Sequence, residues 1–360
     1  MTETPMPRLY DVAVSYWCAR DDMFLRRLRE YSAQSGVNLF LIEPLWVEDV
    51  LRKYTERKMD LRILLDLASD PADAANVYTR LARLAHERGA RVINEPDAAQ
   101  RFSHKGEAHI ALRDAGLPVP FGLVVRHDEA DLRLLTDEEQ KGLAAPFFIK
   151  PCHGYGGKGV LDDGCEIRDI LRAQAVFPDT HFLLQKRVAI GELVGQPAYW
   201  RVFYALGDIH LCWWHPRTKS YKVAMQWQIE DYALWPLFDL GQRLAHVTGL
   251  EFFSVEVART PANEYLLVDY VNEQIDLRPK SFFADGVPDE LLRRIARRVA
   301  RFADEQRPTW AIDRDTDYRD ERLLTWSERC RAAGRVWGGT AASGPAAATT
   351  PRPLLPTPNA

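Results

Sequence analysis

No apolar run in the 360 residues approaches the roughly 20 positions that a membrane-spanning helix requires. The opening stretch, MTETPMPRLYDVAVSYW, has no basic segment leading into an apolar one, so no signal peptide is expected. Cysteine is scarce: Cys18, Cys152, Cys165, Cys212 and Cys330 are scattered, odd in number and free of C-x-x-C spacing. That pattern argues against a disulfide framework or a zinc cage and for reduced thiols in a cytoplasmic protein. Positive charge is not in excess either. With 47 Lys and Arg against 51 Asp and Glu, the formal net charge of −4 offers no overall field to draw nucleic acid or an anionic membrane. There is no internal repeat. A content of 46% hydrophobic and 27% charged residues is that of a soluble globular chain, long enough for two or three modules.

The most informative segment is PFFIKPCHGYGGKGV, residues 146–160. An apolar strand delivers Lys150, and a loop with Gly154, Gly156, Gly157 and Gly159 follows. Glycines let backbone amides approach a phosphate closely, and a lysine beside them supplies a fixed positive charge. The loop is not a Walker A motif, because Cys152 stands where its first glycine is required and Gly159 where its hydroxyl is required. It does satisfy G-x-G-x-x-G, but a dinucleotide fingerprint must open a helix, and Val160-Leu161-Asp162-Asp163-Gly164 reads as a short strand and turn. The segment therefore reads as a strand–loop–strand hairpin, either a lid over a nucleotide triphosphate or a glycine-rich turn that is only structural.

Before it, periodicity predicts a strand at 8–16, a helix from Asp21 to Ser35 ending at Gly36, and a strand from Val37 to Ile42. A short helix from Glu48 to Arg57, a strand from Leu61 to Asp66 and a helix from Ala75 to Gly89 follow. Strands alternating with helices imply a parallel, helix-covered sheet. Residues 92–125 read as strand, turn, helix and strand, with Lys105 near the helix start, and 128–142 as a polar helical stretch. Residues 181–305 read as strand-rich until a closing helix from Pro288 to Glu305. From Ala332 the chain is mostly Ala, Gly, Pro and Thr, too poor in apolar surface to offset the entropy of ordering, so 332–360 is expected to be a disordered tail.

In order along the chain stand Lys105, the glycine loop, FLLQKRVA (182–189), YWRVFYALGDIHLCWW (199–214), FFSVEVA (252–258) and YLLVDYVNE (265–273). This succession, over roughly residues 60–305, resembles the ATP-grasp superfamily, most closely carboxylate–amine ligases of the glutathione synthetase and ribosomal-protein glutamate ligase type. The resemblance implies an α/β module at 1–95 ahead of the ATP-binding part. That part is an α+β fold of two subdomains, 96–185 with the lid loop and 186–310 with the metal site, clasping ATP.

The resemblance also implies roles. Lys105, Lys150 and Lys158, with Gly154, Gly156 and Gly157, would bind phosphates. Gln185, Lys186, Val188 and Glu192 would form the hinge, backbone groups of Lys186 and Val188 facing adenine and Glu192 the ribose; Lys186 stands where the family often has an acidic residue. Arg201, Arg217 and Arg278 would serve the phosphates, the acyl-phosphate and a substrate anion, since a guanidinium fork suits each. Trp200 replaces an acidic residue common just before the arginine. Read alone, Lys105, Lys158, Glu192 and Arg278 are equally solvated surface charges.

Glu256, Asp269 and Asn272 would hold Mg²⁺, with Mn²⁺ an alternative. The family places its asparagine two residues after the acid, on the same strand face. Here the separation is three, so either the strand bulges at Val271 or Glu273 takes the asparagine's place; the bulge is expected. The implied activity is an ATP-dependent ligase joining a small-molecule or peptide carboxylate to an amine through an acyl-phosphate. A small-molecule kinase and an inactive nucleotide sensor are the alternatives. No general base is legible beyond His153 and His215, and a homodimer is left open.

Overall fold

The computed structural model describes residues 7–17, 22–126, 134–154, 156–178 and 181–307. The expected tail at 332–360, and 128–133 of the polar stretch, lie outside them.

β1 (Arg8–Ser15), β2 (Leu39–Ile42), β3 (Met59–Asp66) and β4 (Arg91–Ile93) form a parallel sheet in the order β2-β1-β3-β4. Val12, Ala13 and Val14 of β1 and Ile63, Leu64 and Leu65 of β3 are all buried, as consecutive residues must be when helices cover both faces. Those helices are α1 (Met23–Gln34), α2 (Val47–Thr55) and α3 (Val77–Glu87). The Asp22 carboxylate accepts from the Phe24 amide to start α1, and Asn76 accepts from the Tyr78 and Thr79 amides to start α3.

The turn expected after residue 93 is instead a helix, α4 (Pro96–Ser103). Glu95 accepts from the Asp97 and Ala98 amides and Pro96 fills the first helical position. Turns and helix starts favour the same residue types, which is why NEPD reads either way. His104 then accepts from the Glu107 amide and opens α5 (Lys105–Asp114).

An antiparallel sheet follows in the order β5-β8-β6-β7, built from β5 (Gly122–Val125), β6 (Phe147–Pro151), β7 (Leu161–Gly164) and β8 (Phe182–Gln185). The short helices α6 (Asp137–Leu143) and α7 (Ile170–Gln174) accompany it. A small hairpin, β9 (Glu192–Leu193) and β10 (Gln196–Pro197), leads into the third sheet. That sheet is antiparallel, ordered β13-β12-β11-β14-β15, from β11 (Tyr199–Ala205), β12 (Asp208–His215), β13 (Ser220–Val223), β14 (Phe252–Arg259) and β15 (Tyr265–Asn272).

Between β13 and β14 the strand-rich reading fails, because α8 (Gln226–Asp231) and α9 (Trp235–Thr248) lie there. The tryptophans suggest sheet, but Leu237, Leu240 and Leu244 are buried at helical spacing and Gly249 closes α9 at φ 71°. The chain's last described helix is α10 (Asp289–Glu305).

One face of the five-stranded sheet, with Tyr199, Phe203, Cys212, Trp214 and Tyr221, shares a core with residues of β1, α1 and α10. The other, with Trp200, Val202, Leu211 and Trp213, packs with α9 and α5. Buried Asn94 joins the first sheet to the third. Its Nδ2 donates to the carbonyls of Phe252 (2.8 Å) and Glu273 (2.9 Å), and its Oδ1 accepts from the amides of Glu251 (2.9 Å) and Phe252 (2.8 Å). Every hydrogen-bonding position of that amide is used.

His109 of α5 is buried, and its Nδ1 shares a 2.6 Å hydrogen bond with the Tyr270 hydroxyl. Burial, reinforced by Arg113, pushes its pKa down to about 4. Between pH 6.5 and 4 the unfolded chain takes up a proton that the folded chain refuses, so stability falls with pH, by about 3 kcal/mol from this group. The melting temperature of a His109→Gln variant should accordingly fall less than that of the parent across this range; parallel curves would remove His109 as the cause.

Candidate active site

The third sheet's register sets Cys212, Arg201, Glu256 and Asp269 side by side in one row across β12, β11, β14 and β15. Directly opposed residues share a sheet face, so positions far apart in sequence become neighbours. Arg201 ion-pairs with Glu256, donates from Nη1 to the Tyr221 hydroxyl at 2.8 Å, and lies 4.9 Å from the Trp214 ring centre. Its buried Nε has no acceptor among the described residues. Tyr199, two positions before Arg201 and hence on the same face, donates its hydroxyl to Glu256 Oε2 at 2.7 Å. Burial opposes the charge on Arg201, but Glu256 prevails and raises its pKa; burial and the same carboxylate push the Tyr199 phenol well up.

β15 slips against β14 between the pairs Glu256↔Asp269 and Ser254↔Asn272, so that three residues oppose two. This bulge accommodates the three-residue spacing: the Asn272 side chain hydrogen-bonds Asp269 and also donates to the Ser254 carbonyl at 3.4 Å. Burial pushes the Asp269 carboxyl up, but Lys150, Lys105 and Arg201 outweigh it and hold the group below its usual range. Glu273 stands just beyond, half-buried, and burial raises it to about 7.

The second sheet and α5 supply the opposing cations. Lys150 of β6 is 9% exposed, donates to the Val268 carbonyl at 3.0 Å and is drawn by Asp269 and Glu256, although burial lowers its pKa. Lys105 opens α5, donating its amide to the Cys152 carbonyl at 2.9 Å and its Nζ to the Gly154 carbonyl at 2.7 Å. It thereby ties the helix to the glycine loop between β6 and β7. Gly156 and Gly157 have φ of 64° and 73° with nothing within 4 Å of an added Cβ, so glycine is needed there for the backbone and not for packing. Lys158 is exposed beside them.

Four assignments need correction or remain apart. Gln185 is buried and gives its side-chain amide to the Tyr270 hydroxyl (2.6 Å) and the Val268 carbonyl (3.3 Å), so it braces β8 against β15 and is not turned to a ligand. The Lys186 amide is taken by the Phe121 carbonyl at 2.9 Å, which leaves only its carbonyl for an adenine edge. Arg278 is clasped by Asp276 (2.8 Å) and Asp285 (3.1 Å), so it arrives at any substrate anion already paired. Arg217 is exposed in the turn between β12 and β13, and no described contact joins it to the row. Val188 is half-buried in the linker, Glu192 is exposed on β9, and both are reached by the same connection.

His153 lies in the glycine loop, its ring 4.7 Å from that of His104. Burial and then Lys105 lower its pKa, a neutral ring at pH 7. His215 ends β12, its Nδ1 accepting from the Thr218 amide at 3.2 Å. Tyr199 and Tyr221, which hold Glu256 and Arg201 in place, are aromatics whose residue type alone points to packing. The position of Tyr199 on Arg201's face was available from the period-two spacing of β11, whereas that of Tyr221 depends on the pairing of β13 with β12.

No protein-family model matches the sequence. Over 112 residues the chain is 32% identical to tetrahydromethanopterin:alpha-L-glutamate ligase of Methanosarcina acetivorans, a match covering 31% of this chain and 32% of that one. The chain thus spans about a third of the length of that curated relative. Among solved structures, a RimK domain ATP-grasp protein from Sphaerobacter thermophilus superposes with a TM-score of 0.53 at 19% identity, over 81% of this chain and 98% of that one. The ATP-grasp ligase PsnB, complexed with minimal precursor, Mg and ADP, superposes with 0.52 at 13% identity, over 82% and 98%. The chain has the ATP-grasp fold. Within that fold the α+β pair of sheets brings Lys150 and the glycine loop opposite Arg201, Glu256 and Asp269.

Among the described residues no three His, Cys, Asp or Glu side chains form a metal cage by themselves. Magnesium does not require one, since it is commonly held by one or two carboxylates together with substrate phosphates. Glu256, Asp269 and the Asn272 amide are an all-oxygen set of that kind.

Proposed function

We propose that this ATP-grasp chain is an ATP-dependent carboxylate–amine ligase. The observation that carries the reading is the convergence of Lys105, Lys150 and Arg201 on two adjoining carboxylates, Glu256 and Asp269, beside an open glycine loop. Three cations suit a triphosphate, and two carboxylates with Asn272 suit Mg²⁺, which when bound offsets charge on the transferring phosphoryl group. Lys150 and Lys105 would bind phosphate oxygens, the glycine-loop amides would cover them, and the linker from Lys186 to Glu192 would border the nucleoside. Tyr221 and Glu256 fix the guanidinium of Arg201, so its charge is preorganised and needs no rearrangement during reaction.

In the reaction a carboxylate oxygen attacks the γ-phosphorus and the bond to the bridging oxygen breaks, releasing ADP. The amine nitrogen then attacks the acyl carbon, the bond to phosphate breaks, and the nitrogen gives up a proton. A small molecule or a peptide can supply either partner. Phosphate release by the purified chain across pools of carboxylates and amines tests this. Transfer to a hydroxyl, giving a stable phosphoester, would reassign it as a kinase. Lys150→Ala should weaken ATP binding about 10- to 100-fold, the worth of a charge-assisted bond in a dehydrated site. Unchanged calorimetric affinity in a folded variant would remove Lys150 from the nucleotide site.

A further inference from the structure

His153 is pinned through both of its neighbours to one cation. The Cys152 carbonyl takes the Lys105 amide at 2.9 Å, and the Gly154 carbonyl takes the Lys105 Nζ at 2.7 Å. Cys152 also gives its amide to the His181 carbonyl at 2.7 Å, so His153 stands at the fixed base of the glycine loop, ahead of the open turn at Gly156 and Gly157. Its half-buried ring meets the edge of His104 at 4.7 Å, and His104 lies 5.9 Å from His181. His104 accepts the Glu107 amide at Nδ1 to start α5, a bond its protonated form could not make. The ring nitrogens of His153 carry no such bond among the described residues, so its ionisation breaks no cap. The groups that face it are Lys105 and Glu107 of α5 with His104 ahead of them, Asp70 on the loop after β3, and His181 before β8. Burial and Lys105 keep the ring neutral in the free chain. Lys105 also acts on Asp269, so the ring shares its neighbouring cation with a proposed metal ligand and stands on the phosphate side of the site. An anion placed against Lys105 reverses the balance at His153, because a nearby negative charge favours imidazolium.

We infer that His153 is a further phosphate ligand of the nucleotide, taking one proton from the solvent as Mg·ATP binds and pairing with its phosphates as an imidazolium. No covalent bond to carbon or phosphorus changes; the buffer gives up the proton and a ring nitrogen gains it. The imidazolium then donates from both nitrogens, where the neutral ring donates from one. This deepens the ligase reading and rests on its nucleotide site, not on the identity of the carboxylate or the amine.

Mg·ATP is titrated into the full chain by calorimetry at about pH 7, in PIPES and in Tris, whose different ionisation enthalpies let the two heats count the protons exchanged. The parent should take up about 0.5–1 proton per nucleotide. Uptake means tighter binding at lower pH, so its affinity should fall roughly 3- to 10-fold from pH 7 to 8. His153→Gln keeps an N–H donor but cannot ionise. It should lose the uptake, flatten the pH profile and bind about 3- to 10-fold more weakly at pH 7. Glu273 also has Lys105 and Asp70 as neighbours and is the rival proton acceptor; Glu273→Gln should leave the uptake in place. The same titration with Mg·ADP locates the ion pair: uptake retained assigns the β-phosphate, and uptake lost the γ-phosphate. Equal heats in the two buffers for the parent overturn the assignment without any variant, as does uptake that survives in His153→Gln and vanishes in Glu273→Gln. A chain that does not bind Mg·ATP would sink the nucleotide reading and this assignment with it; binding without proton uptake would sink only the role of His153.

Discussion

Asp269→Asn should lower turnover on the order of a thousandfold while ATP affinity changes only a few-fold, the pattern of an interaction made chiefly in the transition state. The substitution keeps the side chain's shape and one acceptor oxygen for the Asn272 amide, so packing at the β15 bulge survives. It removes the charge that Lys150, Lys105 and Arg201 hold ionised, and with it a proposed hard ligand for Mg²⁺. Asn272→Ala should act in the same direction but more weakly, since it removes a neutral donor to Asp269. Steady-state phosphate release beside calorimetric ATP affinity separates the two effects. Parent-like turnover in Asp269→Asn would make the row a structural ion network and the chain a nucleotide-binding protein without this chemistry.

Glu256→Ala should cost about 3–5 kcal/mol of stability and roughly 10 °C in melting temperature, as removal of one partner from a buried ion pair does. The side chains of Arg201 and Glu256 are only 12% and 13% exposed. Without Glu256 the guanidinium keeps the Tyr221 hydroxyl but has no counter-charge in direct contact. Adding Arg201→Met should recover much of the loss, because the double variant buries no unpaired charge. A single variant that melts like the parent would show that Asp269 neutralises Arg201 unaided.

Much of the fold is legible because it is local. Apolar periodicity marks β1, α1, β3 and α3, and the glycines mark the β6–β7 hairpin. The helices α4, α8 and α9 are not read correctly, since turn-like NEPD and a tryptophan-rich run have two local meanings that only packing decides. The site is legible in its residue types but not in its alignment. Arg201, Glu256 and Asp269 are found through the resemblance, whereas their placement in one row depends on register between strands more than 50 residues apart for the first pair. Residue type is silent about partners on other elements. Gln185 and Arg278 look free in a string of letters and are engaged in the molecule.

Asn94 bears on how such a protein can be rearranged by recombination. A cassette swap that exchanged the first 95 residues for those of another protein would meet, at the junction, two amides and two carbonyls from segments 251–252 and 273 that expect a single side chain. Any donor without an equivalent carboxamide strands all four in a buried place. The chain can therefore trade its surface loops freely, but its first sheet is heritable only together with the strands that carry the proposed metal ligands.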